Sequence, residues 1–546
     1  MLRDEVKRFF RGEVYSDGAT LEKYSEDASI FKVKPELVVS PRDVEDVKNL
    51  VKFVAVEKKK GKNISLTARS GGTDMSGGPL NDSIIIDFTK YFNHIKEVGD
   101  GYARVEPGVF YRDFEKQTLA KGGQIIPSYP ASREICTVGG MVANNSAGEK
   151  TLAYGKTEDY ILELKVVFAD GQEYIVRPLS KSELEKKIKQ KDFEGGVYRK
   201  LYKLIEANYD TIKKAKPDVS KNSAGYYLWN VWDRKKFDLT KLIVGSQGTL
   251  GFVTEIKFRL IKKKLHSRLA VVFLKDLAPL VEIIHTALRF KPESFESYDD
   301  KTLKLAIRFF PDILKIMKGN AFSLALQFIP ELFIILRHGM PKLILLIQLT
   351  GDDELELIRR EGELKRALEK FNVPLRTTKT EDEEKKYWTI RRESFNLLRN
   401  RVQDKHTAPF VDDVIVRPEK LTEFLPRLTA IIDKHKDKMI STIAGHAGDG
   451  NFHIIPLMDL RDPASRALIP EVADQVYNLV KEFGGSFTAE HNDGLIRTPY
   501  LEKMFGSKIV KLFAETKKIF DPDNIFNPKK KVGGDLRYTL GHIKHD

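Results

Sequence analysis

The sequence lacks two features that mark secreted proteins, which are paired cysteines and an apolar N-terminal core. Cys136 is the single cysteine among 546 residues, which excludes a disulfide and a cysteine-ligated iron–sulfur cluster within this chain. Scarce cysteine is typical of proteins in a reducing compartment. The opening residues MLRDEVKRFFRGEVYSD are charged and unlike a secretory signal, so we expect a cytoplasmic location.

Nucleic-acid-binding motifs and solenoid repeats are also absent, although the net charge is +14. The lysines lie in scattered runs, such as residues 56–63 and 186–191, which we interpret as solvated surface. We therefore expect no nucleic-acid partner. With 41% hydrophobic and 31% charged residues, the chain has the composition of a folded globular protein, and its length predicts two or three domains.

Strand-like runs alternate with helical patterns, which predicts an α+β fold. Leu242–Ile261 is predicted as a strand, a glycine turn and another strand. An amphipathic helix near the C-terminus is predicted to end at Asp521-Pro522. The predicted divisions are a helical lead-in at residues 1–34, an α+β domain at 35–262, a second domain at 263–483 and a closing segment at 484–546.

Three segments are unusually dense in glycine and other small residues: Leu66–Leu80, Cys136–Gly155 and Gly245–Gly251. Glycine lets backbone N–H groups converge on an anion without obstruction by a Cβ atom. The spacing is neither the GxGxxG of a dinucleotide fold nor that of a P-loop. We interpret the three loops as holding one extended ligand; on composition alone, three unrelated turns remain the alternative.

The segment GHAGDGNFH places His446 and His453 on either side of a Gly-Asp-Gly turn. On a hairpin, cross-strand side chains approach within about 5 Å. That spacing suits two imidazoles on one divalent cation, although an ordinary packed hairpin fits equally well. Glu490 and His491 offer a third arm, and in an extended segment they would point to opposite faces. The alternative is an exposed charged pair.

These motifs resemble those of a known flavoprotein superfamily. Arg69–Gly78, Thr137–Asn145 and Gly245–Gly251 resemble the FAD-binding segments of the vanillyl-alcohol oxidase/p-cresol methylhydroxylase (PCMH) superfamily. GHAGDGNFH and Ala489-Glu-His resemble its D-lactate/D-2-hydroxyglutarate dehydrogenase (glycolate oxidase large subunit) branch. The variant Glu490-His-Asn-Asp-Gly looks closest to the flavin half of FAD/iron–sulfur fusion dehydrogenases.

The resemblance implies a two-subdomain PCMH-type FAD-binding domain and an α+β substrate (cap) domain with an antiparallel sheet. It also implies a C-terminal helical return to the FAD domain. Thr73 stands where covalent members carry histidine, so the FAD is expected to be non-covalent. The residues that the resemblance assigns to FAD are Ser70, Gly71, Gly72, Thr73, Asp74, Gly77, Gly78, Pro127, Thr137, Gly139, Gly140, Ala143, Asn144, Asn145, Gly148, Gly248, Thr249, Gly251, Val253 and Asn527.

The resemblance also implies the chemistry of the second half of the site. His446, His453 and Glu490 resemble ligands of a divalent metal, Zn²⁺ or Mn²⁺. His491 resembles the catalytic base, which would take the hydroxyl proton of a metal-chelated D-2-hydroxy acid while the Cα hydride passes to flavin. Arg391, in the segment KYWTIRRESFNLL, resembles the clamp for the substrate carboxylate, with Arg392 as the alternative.

The implied activity is an FAD-dependent, metal-assisted dehydrogenase of the D-lactate or D-2-hydroxyglutarate type. Its electrons would pass to a quinone or to a separate iron–sulfur or electron-transfer protein. Two alternatives remain open at this point. One is an oxygen-using flavin oxidase of the same superfamily, and the other is a non-catalytic, membrane-surface protein on a flavin fold.

Residues 302–345 are predicted to form an apolar helical insert in the second domain. Apolar residues recur there at helical spacing, and lysines and arginines lie elsewhere around the helix. The run is interrupted by Gln327, Pro330 and Glu331, and it falls short of a transmembrane span. Core packing, peripheral contact with an anionic membrane and docking of an iron–sulfur partner remain three open interpretations.

Overall fold

The computed structural model describes residues 2–317, 328–401 and 405–545. The first subdomain is built on a four-stranded sheet in which Ile84–Asp87 pairs in parallel with both of its neighbours. Helix Val44–Lys59 covers it; Asp43 caps the start of this helix, and Val47, Leu50 and Val54 are buried against the sheet. The strand order is Glu13–Tyr15, Leu37–Ser40, Ile84–Asp87 and Leu66–Arg69.

The N-terminal lead-in was predicted to be helical. It also contains a strand, Glu13–Tyr15, between helices Leu2–Lys7 and Gly18–Tyr24. This strand pairs antiparallel with Leu37–Ser40 and buries Val14. A three-residue strand has too little alternation to be recognised from sequence, and only the neighbouring strand gives it hydrogen-bond partners. The lead-in therefore completes the edge of the first sheet.

The second subdomain is a five-stranded antiparallel sheet with its own hydrophobic core. The prediction of a strand at the start of Leu242–Ile261 is wrong, since Thr240–Ile243 is a helical turn. A short, fully buried apolar run has no periodicity that separates helix from strand. The strand order is Ile95–Gly99, Tyr102–Val105, Phe252–Arg259, Ile161–Val167 and Glu173–Val176, and the longer helices are Tyr111–Gly122, Lys181–Lys189 and Phe193–Ala207.

The predicted substrate (cap) domain contains a seven-stranded antiparallel sheet, as the predicted fold class requires. Its core runs from the sheet to the helices that pack on it. The strand order is Leu375–Thr377, His266–Leu274, Leu343–Gly351, Ser294–Asp299, Ile443–His446, Asn451–Ile454 and Val414–Ile415. The longer helices are Leu280–Leu288, Glu354–Glu369, Glu381–Arg401, Leu421–Asp433 and Pro463–Glu482. Small sheets elsewhere pair Leu179–Ser180 with Lys236–Phe237, Gln124–Ile125 with Ile261–Lys262, and Leu457–Met458 with His406–Thr407 and Met439–Ile440.

The C-terminal segment returns to the two N-terminal subdomains, which confirms that element of the predicted fold. Helix Ser507–Phe520 buries Phe513 and Phe520 in the core of the second subdomain, and Phe526 lies in the core of the first. The helix ends before Asp521-Pro522, as predicted. The closing residues therefore join the first and the second subdomain.

The apolar insert divides into a buried and an exposed part. Helices Asp300–Arg308 and Phe310–Met317 bury Leu303 and Ile313 and pack against Glu381–Arg401, which is core packing. Helix Ile329–His338 instead leaves Leu332, Phe333 and Leu336 exposed by 55%, 67% and 73%. The part of the insert at 318–327 lies outside the described residues. None of the helices in the described ranges combines the length and the hydrophobicity that a membrane crossing needs.

Candidate active site

A single cavity of about 640 Å³ brings the glycine loops and the histidine cluster together. The three loops come from the first sheet, from residues 137–148 and from the turn before strand Phe252–Arg259. Arg391, His446, His453, Glu490 and His491 line the same cavity. The residues predicted to hold FAD that line it are Ser70, Gly71, Gly72, Thr73, Asp74, Gly78, Thr137, Gly139, Gly140, Ala143, Asn144, Gly148, Gly248, Gly251 and Val253.

Five residues predicted to hold FAD are not among those that line the cavity: Gly77, Pro127, Asn145, Thr249 and Asn527. The Asn527 side chain instead forms hydrogen bonds that connect two of the loops. Its side-chain amide donates to the carbonyls of Gly78 and Gln247 at 2.9 and 2.7 Å, and its Oδ1 accepts from Thr67. The Asn-Pro motif therefore holds the loops in place from behind.

The second glycine-rich segment is not a simple loop, because Val138–Asn144 forms a short helix. The Oγ1 atom of Thr137 accepts from the N–H of Gly140, which caps the helix start. Asn145 ends the helix in the left-handed conformation, with φ of 52°. Glycines mask helical periodicity, so the sequence pattern indicated a loop here.

The hairpin and its turn form as predicted. Strands Ile443–His446 and Asn451–Ile454 pair antiparallel, and the imidazole centroids of His446 and His453 lie 5.2 Å apart. The third arm is Glu490, whose Oε1 lies 3.1 Å from Nε2 of His446 and 3.3 Å from Nε2 of His453. Three potential ligand atoms therefore converge within 4.8 Å.

The other nitrogen of each hairpin histidine already has a partner. Nδ1 of His446 lies 2.6 Å from Glu296, and Nδ1 of His453 lies 3.2 Å from the backbone carbonyl of Asp412. Each Nδ1 is thereby set as the donor, which leaves the Nε2 lone pair directed at the cluster. This is the tautomer that a metal site requires, so the donor set fits a divalent cation of the Zn²⁺ or Mn²⁺ type.

His491 lies beside this cluster on the same side as Glu490, not on the opposite face as expected for an extended segment. The chain bends around Asp413, whose Oδ2 accepts the backbone N–H groups of both Glu490 and His491. The ring of His491 stacks on His453 with centroids 5.0 Å apart. Its Nδ1 lies 2.5 Å from Asp412.

Asp413, His453 and His491 also lie close enough to hold a cation. Asp413 is a poor ligand, however, because both of its oxygens are already occupied. Oδ2 accepts from the Thr488 hydroxyl as well as from the two backbone groups, and Oδ1 accepts from Asn451. The cluster of His446, His453 and Glu490 is therefore the better metal site.

Burial and neighbouring charges shift the pKa of each residue in the cluster. Burial lowers the pKa of His446, but the Glu296 carboxylate raises it to about 9. Burial acts to raise the pKa of Glu490, yet Lys221 and His446 hold it well below its usual value. For His453, burial lowers the pKa. Ionised carboxylates beside imidazoles stabilise positive charge at this position.

The two arginines predicted as alternative clamps differ in their surroundings. Arg391 is nine-tenths buried, forms an ion pair with Glu296, and its Nε atom has no hydrogen-bond partner among the described residues. Arg392 is 41% exposed, pairs with Glu149 and covers the ring of Trp388. Arg391 is thus the arginine with an unused donor at the metal end of the cavity.

Several residues of the site were missed by sequence reasoning. Asp412 is one, although the pair Asp412-Asp413 after an apolar run was a detectable signal. Glu296 lies in the strand Ser294–Asp299, SFESYD, all of which is buried, and a carboxylate within a strand-like run was also detectable. Lys221 and Arg497 had no local signal, since Glu490 and Asp412, the carboxylates that they contact, are far away in the sequence.

Comparison with known proteins agrees with this arrangement. Residues 35–177 match the FAD binding domain family, and residues 263–531 match the C-terminal domain of FAD linked oxidases. These matches, together with the glycine-rich lining of the cavity, identify the chain as a flavoprotein. It belongs to the FAD linked oxidases, since the two matches together cover most of its length.

Among curated proteins, the chain is 28% identical over 529 residues to D-2-hydroxyglutarate dehydrogenase of Pseudomonas putida. The match covers 95% of this chain but 50% of that protein, so the chain spans about half the length of this relative. It is 26% identical to D-lactate dehydrogenase of Archaeoglobus fulgidus, with 91% of each covered. The solved structure of p-cresol methylhydroxylase shares the fold, with a TM-score of 0.65, 16% identity, and 96% of this chain and 94% of that one covered.

Gly140 tests whether FAD lies against the loops. A Cβ added there would meet the Ser70 and Thr137 hydroxyls at 3.3 and 3.4 Å, so a larger side chain would extend into the cavity. We expect Gly140→Leu to weaken FAD binding by about 10- to 100-fold, as overpacking of ~1–3 kcal/mol implies. The measurement is FAD content and affinity from flavin absorbance.

The matched control is Gly18→Ala, at the start of helix Gly18–Tyr24, where an added Cβ meets nothing within 4 Å. This variant should keep the wild-type FAD content. Full FAD content in Gly140→Leu would show that the cofactor does not approach this helix.

Proposed function

We propose that the chain is an FAD-dependent dehydrogenase that oxidises a D-2-hydroxy acid, of the D-lactate or D-2-hydroxyglutarate type, to the 2-oxo acid. The observation that carries the proposal is the single cavity lined by both the glycine loops and the cluster of His446, His453 and Glu490. The names of the two curated relatives support the same substrate class. The FAD would be non-covalent, because Thr73 lines the cavity where covalent members carry histidine.

In this proposal, Arg391 binds the substrate carboxylate and His491 takes the hydroxyl proton. Glu296 holds one side of the Arg391 guanidinium, and the free Nε is the donor left for substrate. Asp412 accepts from Nδ1 of His491, so Nε2 is the atom that would receive the proton. Burial lowers the pKa of His491, but the Asp412 carboxylate raises it to about 9. A divalent cation bound at Glu490 would oppose that rise, because it would place positive charge beside the imidazole.

Two bound groups would supply the remaining chemistry. A divalent metal on His446, His453 and Glu490 would act as a Lewis acid that lowers the pKa of the substrate hydroxyl. FAD along the glycine loops would accept the Cα hydride. The residues that would hold the two groups line one cavity, so a substrate anchored by Arg391 would lie between them.

We propose a quinone or a separate electron-transfer protein as the electron acceptor. The exposed apolar side chains of helix Ile329–His338 support peripheral contact with a membrane or with such a partner. A cytoplasmic protein attached in this way would meet either acceptor.

One experiment tests the proposed function. The purified protein is assayed for its flavin spectrum and metal content, and then with D- and L-2-hydroxy acids and an artificial electron-accepting dye. We expect bound FAD, one metal per chain, turnover of at least one D-acid and little hydrogen peroxide in air. Missing FAD, or inactivity with every acid after metal is restored, would contradict the proposal; peroxide at the rate of turnover would instead indicate an oxidase.

Arg391→Met is expected to raise the KM for the hydroxy acid by about 10- to 150-fold. The reason is the loss of a charged hydrogen bond of ~1.5–3 kcal/mol between guanidinium and substrate carboxylate. Steady-state kinetics with the dye measures it. Arg392→Met is the control, and its KM should change by much less because that side chain pairs with Glu149 at the surface. A larger effect at Arg392 would reverse the assignment of the clamp.

A further inference from the structure

Lys221 is a fully buried lysine that touches the candidate metal site from the FAD-binding part. It lies in the irregular segment between helices Tyr209–Lys214 and Leu228–Val231, and it is 1% exposed. An ammonium group is expensive to bury unless several acceptors surround it. Three side chains that are distant in sequence supply oxygen atoms around the Lys221 ammonium: Asp449, Asn451 and Glu490.

The two carboxylate oxygens of Glu490 have different partners. Oε2 of Glu490 lies 3.2 Å from the Lys221 Nζ, whereas Oε1 faces the Nε2 atoms of His446 and His453. We infer that Lys221 is a positioning residue that holds Glu490 as a ligand through one oxygen, Oε1. An ammonium has no lone pair of its own, so Lys221 orients the ligand and does not bind the cation.

Lys221 also joins Glu490 to the turn of the histidine hairpin. Its Nζ lies 3.3 Å from Oδ1 of Asn451 and 3.5 Å from Oδ2 of Asp449. One ammonium thus fixes the third ligand relative to the hairpin that carries the other two. Because Lys221 belongs to the FAD-binding part, it also fixes the metal end of the cavity relative to the flavin end.

A purely structural ion pair would behave differently from a positioning residue. If Lys221 only offset buried charge, its loss would lower stability without a specific effect on metal affinity. If Lys221 positions Glu490, the Glu490 carboxylate is free to turn in Lys221→Met. Metal affinity then falls while the FAD loops remain intact. Groups that orient metal ligands typically contribute about 10- to 100-fold to affinity.

The inference rests on the proposed metal site, and it is tested on the FAD-loaded protein. Zn²⁺ affinity is measured by competition with a chromophoric chelator, alongside FAD content and thermal melting. We expect Lys221→Met to bind Zn²⁺ about 10- to 100-fold more weakly with wild-type FAD content, and Lys221→Arg to recover part of that loss. The control is Lys386→Met, which removes an equally buried lysine paired with Glu331, outside the site; its Zn²⁺ affinity should be unchanged.

The outcomes separate the inference from the proposed function. Wild-type protein that binds no Zn²⁺ would contradict the proposed metal site and the role of Lys221 together. Wild-type binding with equal affinity in Lys221→Met would contradict the role of Lys221 alone. If Lys221→Met fails to hold FAD, Lys221→Gln takes its place, since it keeps a donor but no charge. Wild-type Zn²⁺ affinity in Lys221→Gln would then contradict the inference.

Discussion

His446→Ala is expected to remove the bound metal and to lower turnover of the hydroxy acid by more than about 100-fold. His446 contributes an Nε2 directed at Glu490 and an Nδ1 held by Glu296, so no other side chain replaces it. Changes to groups that merely support a ligand already cost about 10- to 100-fold, and loss of the ligand itself should cost more. Metal analysis by mass spectrometry and dye-linked kinetics measure the two effects on one sample.

The control for this prediction is His285→Ala, which removes an exposed histidine paired with Glu419 at 3.3 Å. Its metal content and turnover should match the wild type. FAD content should stay unchanged in both variants, because neither histidine belongs to the glycine loops that are proposed to hold FAD. Turnover that survives in His446→Ala would exclude the hairpin from the catalytic site.

His491→Asn is expected to lower kcat by about 10²- to 10⁴-fold, which is the usual contribution of a positioned general base. Asparagine can still donate to Asp412, which also forms an ion pair with Arg497, but it cannot accept a proton at the position of Nε2. FAD and metal should remain bound, since His491 belongs neither to the glycine loops nor to the preferred metal cluster. Rapid-mixing measurement of flavin reduction by the hydroxy acid isolates this step.

The comparison with His446→Ala makes this prediction specific. His446→Ala should lose metal and turnover together, whereas His491→Asn should lose turnover with metal retained. Flavin reduction at the wild-type rate in His491→Asn would show that another group takes the proton. Loss of metal in that variant would instead place His491 among the ligands.

Much of the fold could be predicted because its signals are local. The hairpin between His446 and His453 and the helix that ends before Asp521 each lie within a short stretch of sequence. Periodicity of 2 or 3.6 residues reports such elements directly. The errors fell at Glu13–Tyr15, Val138–Asn144 and Thr240–Ile243, where short, glycine-rich or buried runs carry no usable periodicity.

The environment of each predicted side chain could not be derived in the same way. Glu296 lies 150 positions before His446, and Asp412 lies 79 positions before His491. Lys221 and Glu490 are separated by 269 positions. These contacts depend on how the seven-stranded sheet packs against the FAD-binding part, and no local pattern encodes that packing.

The sequence by itself determined which chemical groups the protein has: glycine loops with free backbone, two histidines around a turn, and an adjacent Glu-His pair. Tertiary structure decided which atoms of these groups face one another. It made Nδ1 of each hairpin histidine a donor and gave the two carboxylate oxygens of Glu490 different partners. It also bent the Glu490-His491 segment around Asp413, so that both side chains line one cavity. Residue identity and spacing are local properties, whereas the orientation of a buried polar group is fixed by partners from distant segments, because an unpaired buried group is too costly to keep.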